Sequence, residues 1–291
     1  MNKKNKRSYP ELSSAGIEAS YPVKVFDEFG RTRETLITGE RPLTLYIDKQ
    51  EIVTLMTLGK NPELLVIGYL YNQGFIKKKN DLKSIQVDWD IESAVVVTNG
   101  GISNLEKRLE KRTVTSGCGQ GTVFGDMMDD LDNIKLNTPA LRQSSFYRLL
   151  KNVREYNEVY KKSGAVHGCA LCIDENIEKF IEDVGRHNAA DAIAGYMLLE
   201  EIDGSDKLFY TTGRLTSEMV IKVAKMGIPI LFSRAGITKM GLELSQKLGV
   251  TTISRAAGKH FLVYNGADTV IYDAKPKEKN VSRLNTSEST E

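Results

Sequence analysis

A chain of 291 residues, 41% of them apolar, can bury a large core, so a globular protein is expected, either one elaborate domain or two smaller ones. The 40 Lys and Arg against 38 Asp and Glu leave a net charge of +2, which argues against general nucleic-acid binding and against a surface-wide attraction to membranes. Three cysteines are odd in number and too few for a disulfide framework, no apolar run is long enough to span a bilayer, and the basic start MNKKNKRSYPELSSAG lacks the apolar core of a secretory signal; a reducing, cytoplasmic location is expected.

Residues 1–20 and 275–291 are polar, charged and aperiodic, and read as disordered, solvated tails. In the N-terminal part, 21–137, Leu43–Ile47 and Ser93–Val97 alternate as strands, and Pro62–Asn72 reads as a helix with Asn61 as cap and Gly74 behind it. This part ends in Thr115-Ser116-Gly117-Cys118-Gly119-Gln120-Gly121-Thr122, a glycine-rich segment expected to form a mobile, exposed loop. Apolar residues near helical spacing then predict one amphipathic helix from about Pro139 to Lys161, capped by Thr138, so that 138–162 links two halves. From 163 to 274 strand and helix alternate: strands at Leu208–Tyr210, Ile228–Phe232, Thr251–Ile253 and Phe261–Tyr264, helices at Ser217–Met226 and Ile237–Leu248. That order predicts an α/β layering with parallel strands.

Three places in this half join a strand end to a glycine and a cation: Thr212-Gly213-Arg214, Ser233-Arg234-Ala235-Gly236 and Arg255-Ala256-Ala257-Gly258-Lys259. Any one of them is ordinary turn chemistry. Together they predict positive groups converging on the carboxyl edge of a parallel sheet, where phosphates bind, although none is a Walker or Rossmann fingerprint. Glu182-Asp183-Val184-Gly185-Arg186-His187-Asn188 adds an acid pair, an arginine and a histidine before an apolar helical run. Here Asn188 is expected to cap the helix, Gly185 to allow a tight backbone path, and Arg186 and His187 to offer donors that Glu182 and Asp183 orient.

Two segments carry thiols. Cys118, flanked by glycines, reads as either a reactive or a structural cysteine on its own stretch. Val166-His167-Gly168-Cys169-Ala170-Leu171-Cys172 places a histidine near a C-x-x-C pair, but no second pair completes a zinc cage, and position 169 is Cys where a deaminase zinc motif needs Glu. Cys169 and Cys172 are therefore read as small residues on a buried strand, with no metal, and His167 as a proton-transfer or hydrogen-bonding group.

The runs Gly164–His167, Glu182–Asn188, Thr212–Arg214, Ser217-Glu218-Met219-Val220 and Gly258–Tyr264, with Glu40-Arg41-Pro42-Leu43 and Asn61–Leu70, resemble the formate dehydrogenase accessory sulfurtransferase family, FdhD, over roughly 35 to 274. The resemblance implies a sulfur carrier that takes persulfide sulfur from a cysteine desulfurase and delivers it to the molybdenum bis(molybdopterin guanine dinucleotide) cofactor, a sulfuration that activates formate dehydrogenase. It implies a cytidine-deaminase-like mixed sheet with flanking helices and no zinc, beside a smaller N-terminal α+β part, and a homodimer that binds guanine-nucleotide moieties. Cys118 matches the persulfide cysteine, and Arg255, Ala256, Ala257, Gly258, Lys259 and His260 match the cofactor-binding segment, to which Arg186, His187, Gly213, Arg214 and His167 are added as candidates. The chain departs from the family pattern at Gly121, where many members carry a second loop cysteine, at Thr212 for Ser, at Arg234–Thr238, and at Ala257 for an arginine. A cofactor chaperone that transfers no sulfur is the alternative reading.

Overall fold

The computed structural model describes residues 9–102, 113–114, 121–122 and 130–276. The N-terminal sheet has the order β1-β6-β7-β4-β5, from β1 (Glu11–Leu12), β4 (Arg41–Ile47), β5 (Gln50–Thr57), β6 (Leu82–Asp88) and β7 (Ser93–Thr98). The sequence alternation works here as expected: Leu43, Leu45 and Ile47 all point into the core while their neighbours stay outside. Strands β2 (Ser20–Phe26) and β3 (Thr32–Thr38) form a separate antiparallel ribbon. Helix α1 (Pro62–Asn72) has the predicted bounds, with Asn61 at the cap position but no capping bond from its side chain.

The C-terminal half is built on a six-stranded mixed sheet of order β12-β11-β13-β14-β15-β16. Its strands are β11 (His167–Ile173), β12 (Asn176–Asp183), β13 (Leu208–Thr211), β14 (Ile230–Ser233), β15 (Thr251–Ala257) and β16 (His260–Asn265). Strands β13, β14 and β15 run parallel, as the strand and helix alternation requires, and β11, β12 and β16 run antiparallel to their neighbours. The short β8 (Thr113–Val114) pairs with β9 (Gly121–Thr122), and β10 (Leu141–Arg142) with β17 (Val270–Ile271).

Period-two alternation splits the large sheet between two apolar clusters. Cys169, Leu171, Phe209 and Leu231 face a core shared with α4 (Arg186–Glu200), α5 (Ser217–Lys225), α6 (Lys239–Leu248), α1 and the N-terminal sheet. Ala170, Cys172, Tyr210 and Phe232 face the opposite side, covered by Phe146, Leu149 and Leu150 of α2 (Gln143–Val153). The strands β13 and β14 are consequently buried along their whole length.

The single helix expected over 138–162 is two helices, α2 and α3 (Glu158–Ser163), joined by a turn at 154–157. The break has a cause distant in sequence. The Glu182 carboxylate accepts the N–H groups of Val159 and Tyr160, both at 2.9 Å, and so starts a new helix where periodicity alone would continue the old one. Thr138 caps neither helix; its hydroxyl donates to the carbonyls of Pro229 and Gly249.

Candidate functional site

The parallel pairing aligns Thr211 with Ser233 and Phe232 with Ile253, so the loops after β13 and β14 and the end of β15 share one edge. Hydrogen bonds join these segments. Ser233 Oγ donates to the Gly213 carbonyl at 2.6 Å and accepts from the Ala235 N–H at 2.9 Å, and the Arg255 N–H donates to the Ala235 carbonyl at 3.0 Å. Because β11 runs antiparallel to β13, its first residue, His167, arrives at the same edge, with Nδ1 3.1 Å from the Thr212 hydroxyl.

Helix α4 brings Arg186 and His187 to this edge from behind. Both are buried, and Arg186 lies against Gly213, where any Cβ would stand 2.3 Å from Arg186 Cδ. His187 Nε2 lies 3.4 Å from Glu218 Oε2 on α5, and Glu218 Oε1 lies 3.4 Å from Lys222 Nζ, which pairs with Asp191 Oδ2 at 2.8 Å. Burial holds the His187 imidazole down to about 3 against the pull of Glu218, with Lys222, Arg186 and His167 adding to the depression. It is neutral at physiological pH, a donor or acceptor without charge.

His167 borders an open cleft of about 320 Å³ with Tyr160, Val184, Thr212 and Arg234 on its walls. Its imidazole is also pushed below the ordinary histidine range, first by burial and then by the positive charges of Arg186, Arg234 and Arg214. Of the three, Arg234 lines the cleft itself, and positive charge of this kind suits an anion with several oxygens. The Arg234 guanidinium lies over the exposed ring of Tyr160, 5.7 Å from its centroid.

Several roles expected around 182–188 fall differently. Asn188 does not cap α4, which starts two residues earlier; its amide donates to the Met56 carbonyl and to Asp183 Oδ1. Gly185 has an ordinary extended backbone, and a Cβ there would meet only Asn188 at van der Waals distance. Glu182 and Asp183 do not orient Arg186 and His187. Glu182 caps α3, while Asp183 accepts from the Thr57 hydroxyl at 2.6 Å and from the Leu58 N–H, tying the two halves together.

Of the cofactor-segment residues, Arg255 joins the cluster through its backbone and adopts a positive φ of 51° where the strand bulges between Ser254 and Ala257. Ala256 is buried against α2, and Ala257, Gly258, Lys259 and His260 form an exposed hairpin whose Lys259 carbonyl accepts from Tyr147. Arg186, His187, His167, Gly213 and Arg214 thus form one cluster, with the Ala257–His260 hairpin set beside α2 at the same end of β15. Cys118 lies outside the described residues.

Cys169 and Cys172 are both buried, as expected for small residues on a strand. Cys169 faces the α4 side, donating to Thr211 Oγ1, and Cys172 faces the α2 side, because residues three apart on a strand lie on opposite faces. They cannot act as a pair. Among the described residues no group of three or more His, Cys, Asp or Glu could hold a metal ion, and no helix is long and apolar enough to cross a membrane.

Sequence reading missed Tyr160, Glu218 and Lys222 as parts of this site. Tyr160 lies within the single helix expected over 138–162, where helical spacing alone does not set it apart. Glu218 sits in the Ser217–Val220 run, where the spacing to Lys222 was visible as an i, i+4 pair but its burial was not.

The sequence profile of the FdhD/NarQ family matches residues 38–271. The sulfur carrier protein FdhD of Bacillus pumilus is 31% identical over 234 residues, covering 78% of this chain and 87% of its own, and that of Wolinella succinogenes is 30% identical over 252 residues, covering 86% and 87%. A crystal structure from Desulfotalea psychrophila, of a protein assigned as a formate dehydrogenase accessory protein, superposes with a TM-score of 0.71 at 26% identity, covering 87% of this chain and all of the other.

Proposed function

The chain belongs to the FdhD/NarQ family, and on that premise we propose that it is a sulfurtransferase serving formate dehydrogenase, a carrier that passes persulfide sulfur from a cysteine desulfurase to molybdenum bis(molybdopterin guanine dinucleotide). Cys118 takes up the sulfur: its thiolate attacks the terminal sulfur of the donor's persulfide, a new S–S bond forms on Cys118, and the donor thiolate leaves. In delivery the Cys118 sulfur is the leaving group in turn. Gly121 stands where a second loop thiol would be, so the cycle runs on one cysteine of that loop.

The cofactor is the bound substrate, and no metal is held by protein side chains. Its guanine-nucleotide phosphates are received by Arg186 and Arg214, with Gly213 giving Arg186 its room, His187 behind it and His167 beside it, while Arg255, Ala256, Ala257, Gly258, Lys259 and His260 form the outer wall. The protein works in the cytoplasm as a homodimer. The observation that carries the reading is the cleft at the carboxyl edge of the parallel strands, where Arg234 stands beside His167 and Thr212 and Arg186 packs against Gly213, since planar guanidinium groups match phosphate oxygens two at a time.

Incubation with an active cysteine desulfurase and cysteine is expected to add sulfur to Cys118, seen by mass spectrometry and lost in Cys118→Ser. A folded protein that gains no such adduct refutes the carrier role. Should Cys118→Ser keep both nucleotide affinity and formate dehydrogenase maturation, the protein is a cofactor chaperone instead.

A further inference from the structure

Building on the nucleotide reading above, we propose that Thr212 is a positioning residue that keeps His167 in the tautomer with its proton on Nε2, so that the cleft offers an uncharged N–H donor to a phosphate oxygen held beside Arg234. The argument starts from hydroxyl valence. Thr212 Oγ1 has one hydrogen and two lone pairs. The Gly168 N–H lies 3.1 Å from this oxygen and occupies one lone pair, and His167 Nδ1 lies 3.1 Å away on the imidazole side. Among the described residues no other group accepts from the Thr212 hydroxyl.

Two arrangements are possible at Nδ1. If Nδ1 carried the proton, it would donate to the remaining lone pair and leave the hydroxyl hydrogen with no protein acceptor in a half-buried position. If Nδ1 is the acceptor, the hydroxyl donates to it and both of these atoms are paired, which places the ring proton on Nε2, on the ring of a residue that borders the cleft. The hydroxyl is itself held in place by the sheet: the Thr212 N–H donates to the Gly168 carbonyl at 2.9 Å, so the end of β13 and the start of β11 are clamped from both directions. Neutrality suits the setting, because burial and Arg186, Arg234 and Arg214 all disfavour an imidazolium here. A neutral donor adds direction to anion binding without a further positive charge.

The full chain labelled with 15N in its histidines decides this. Long-range 1H–15N spectra near neutral pH, with His167 assigned by its loss in His167→Gln, should show a protonated Nε2 and an unprotonated Nδ1 in the wild type. Thr212→Ser keeps the hydroxyl and should keep that pattern, whereas Thr212→Val keeps the shape and should give a mixture of tautomers. With guanosine diphosphate as the probe, Thr212→Val should bind about tenfold more weakly and Thr212→Ser close to wild type, the size expected for a lost hydrogen bond to an anion. A wild-type His167 protonated on Nδ1, or an Nε2 tautomer unchanged by Thr212→Val, overturns the proposal. The wild-type spectrum settles the tautomer even if the valine variant fails to fold. Absence of any guanosine diphosphate binding by the wild type would instead strike the proposed function, and the spectrum would still judge the tautomer.

Discussion

Gly213 lies flat against the stem of Arg186: a Cβ on Gly213 would stand 2.3 Å from Arg186 Cδ and 3.1 Å from its Cβ. No other residue type leaves the arginine where it is. Gly213→Ala is therefore expected to cost about 1–3 kcal/mol, the range of small overpacking changes, and to weaken guanosine diphosphate binding by displacing the guanidinium. In an Arg186→Ala background the same change should cost less, because the 2.3 Å clash with Cδ is gone and only the 3.1 Å approach to Cβ remains. Urea unfolding of the four chains measures this, and equal costs in both backgrounds would refute the contact.

The joint between the two halves rests on a closer approach still. Where α1 crosses α4, a Cβ on Gly68 would fall 1.6 Å from the Asp191 carbonyl oxygen, and one on Gly195 would fall 2.1 Å from that of Leu64. Both obstacles are backbone, so neither helix can yield without parting from the other. Gly68→Ala and Gly195→Ala are each expected to lose about 3 kcal/mol or more, or to leave the chain unfolded, as read from Tm. A variant that melts with the wild type would mean that the helices separate freely.

The elements with a local cause were legible in the sequence. Pro62–Asn72 and the helices ending near Gly227 and Gly249 came out within a few residues, because a proline start, a glycine end and an apolar stripe are all written in adjacent positions. The break at 154–157 was not legible, since its cause is the Glu182 carboxylate, which only folding brings to Val159 and Tyr160. The same limit applied at the site. Arg186, His187 and the loop arginines could be picked out as cations near glycines, yet Glu218, which lies beside His187, and its own partner Lys222 differ from any surface ion pair only by burial. Asn188 and Asp183 were chemically conspicuous for a reason unrelated to ligand binding: they tie β5 to α4.

The two strand cysteines give a chemical test of the sheet. Burial pushes the Cys169 thiol up to about 12 and raises that of Cys172 as well, so neither offers thiolate at neutral pH. Iodoacetamide should leave both unmodified in the native protein and label both in guanidinium chloride, with peptide mapping as the readout. An oxidant should form no Cys169–Cys172 disulfide in the folded chain, because the two side chains belong to clusters on opposite faces of the sheet. Labelling of either thiol before unfolding would contradict the burial.

Lys222 lies between two buried carboxylates: its ammonium pairs with Asp191 at 2.8 Å and approaches Glu218 at 3.4 Å, with the Lys222 and Asp191 side chains only 2% and 3% exposed. Lys222→Met preserves much of the volume and removes the charge. Breaking one side of such a pair leaves an uncompensated buried charge, so a loss of about 3–5 kcal/mol is expected. Asp191→Asn added to Lys222→Met should recover part of that loss, since the amide can still accept from Asn72, which now donates to Asp191 Oδ1 at 2.7 Å. Additive losses in the double variant, by urea unfolding, would show that the two residues do not act together.

His187 makes stability depend on pH in a direction set by its burial. The folded protein holds this imidazole at about 3, through burial first and then through Lys222, Arg186 and His167 acting against Glu218, while the unfolded chain titrates near 6.5. Above about 6.5 both states are neutral there and the full stability is present. As the pH falls below that value, the unfolded chain takes up a proton that the folded chain refuses, so stability declines toward pH 3 with a slope of up to ~1.4 kcal/mol per pH unit for one proton. His167, lowered for the same physical reason, adds in the same direction. Asp183, raised by burial, acts oppositely at the acid end, because the folded state binds its proton first. Comparing wild type with His187→Gln between pH 7 and 5 cancels the contributions common to both chains. The variant should lose stability less steeply over that window, and parallel slopes in urea unfolding would mean that His187 takes up its proton as readily in the folded protein as in the unfolded one.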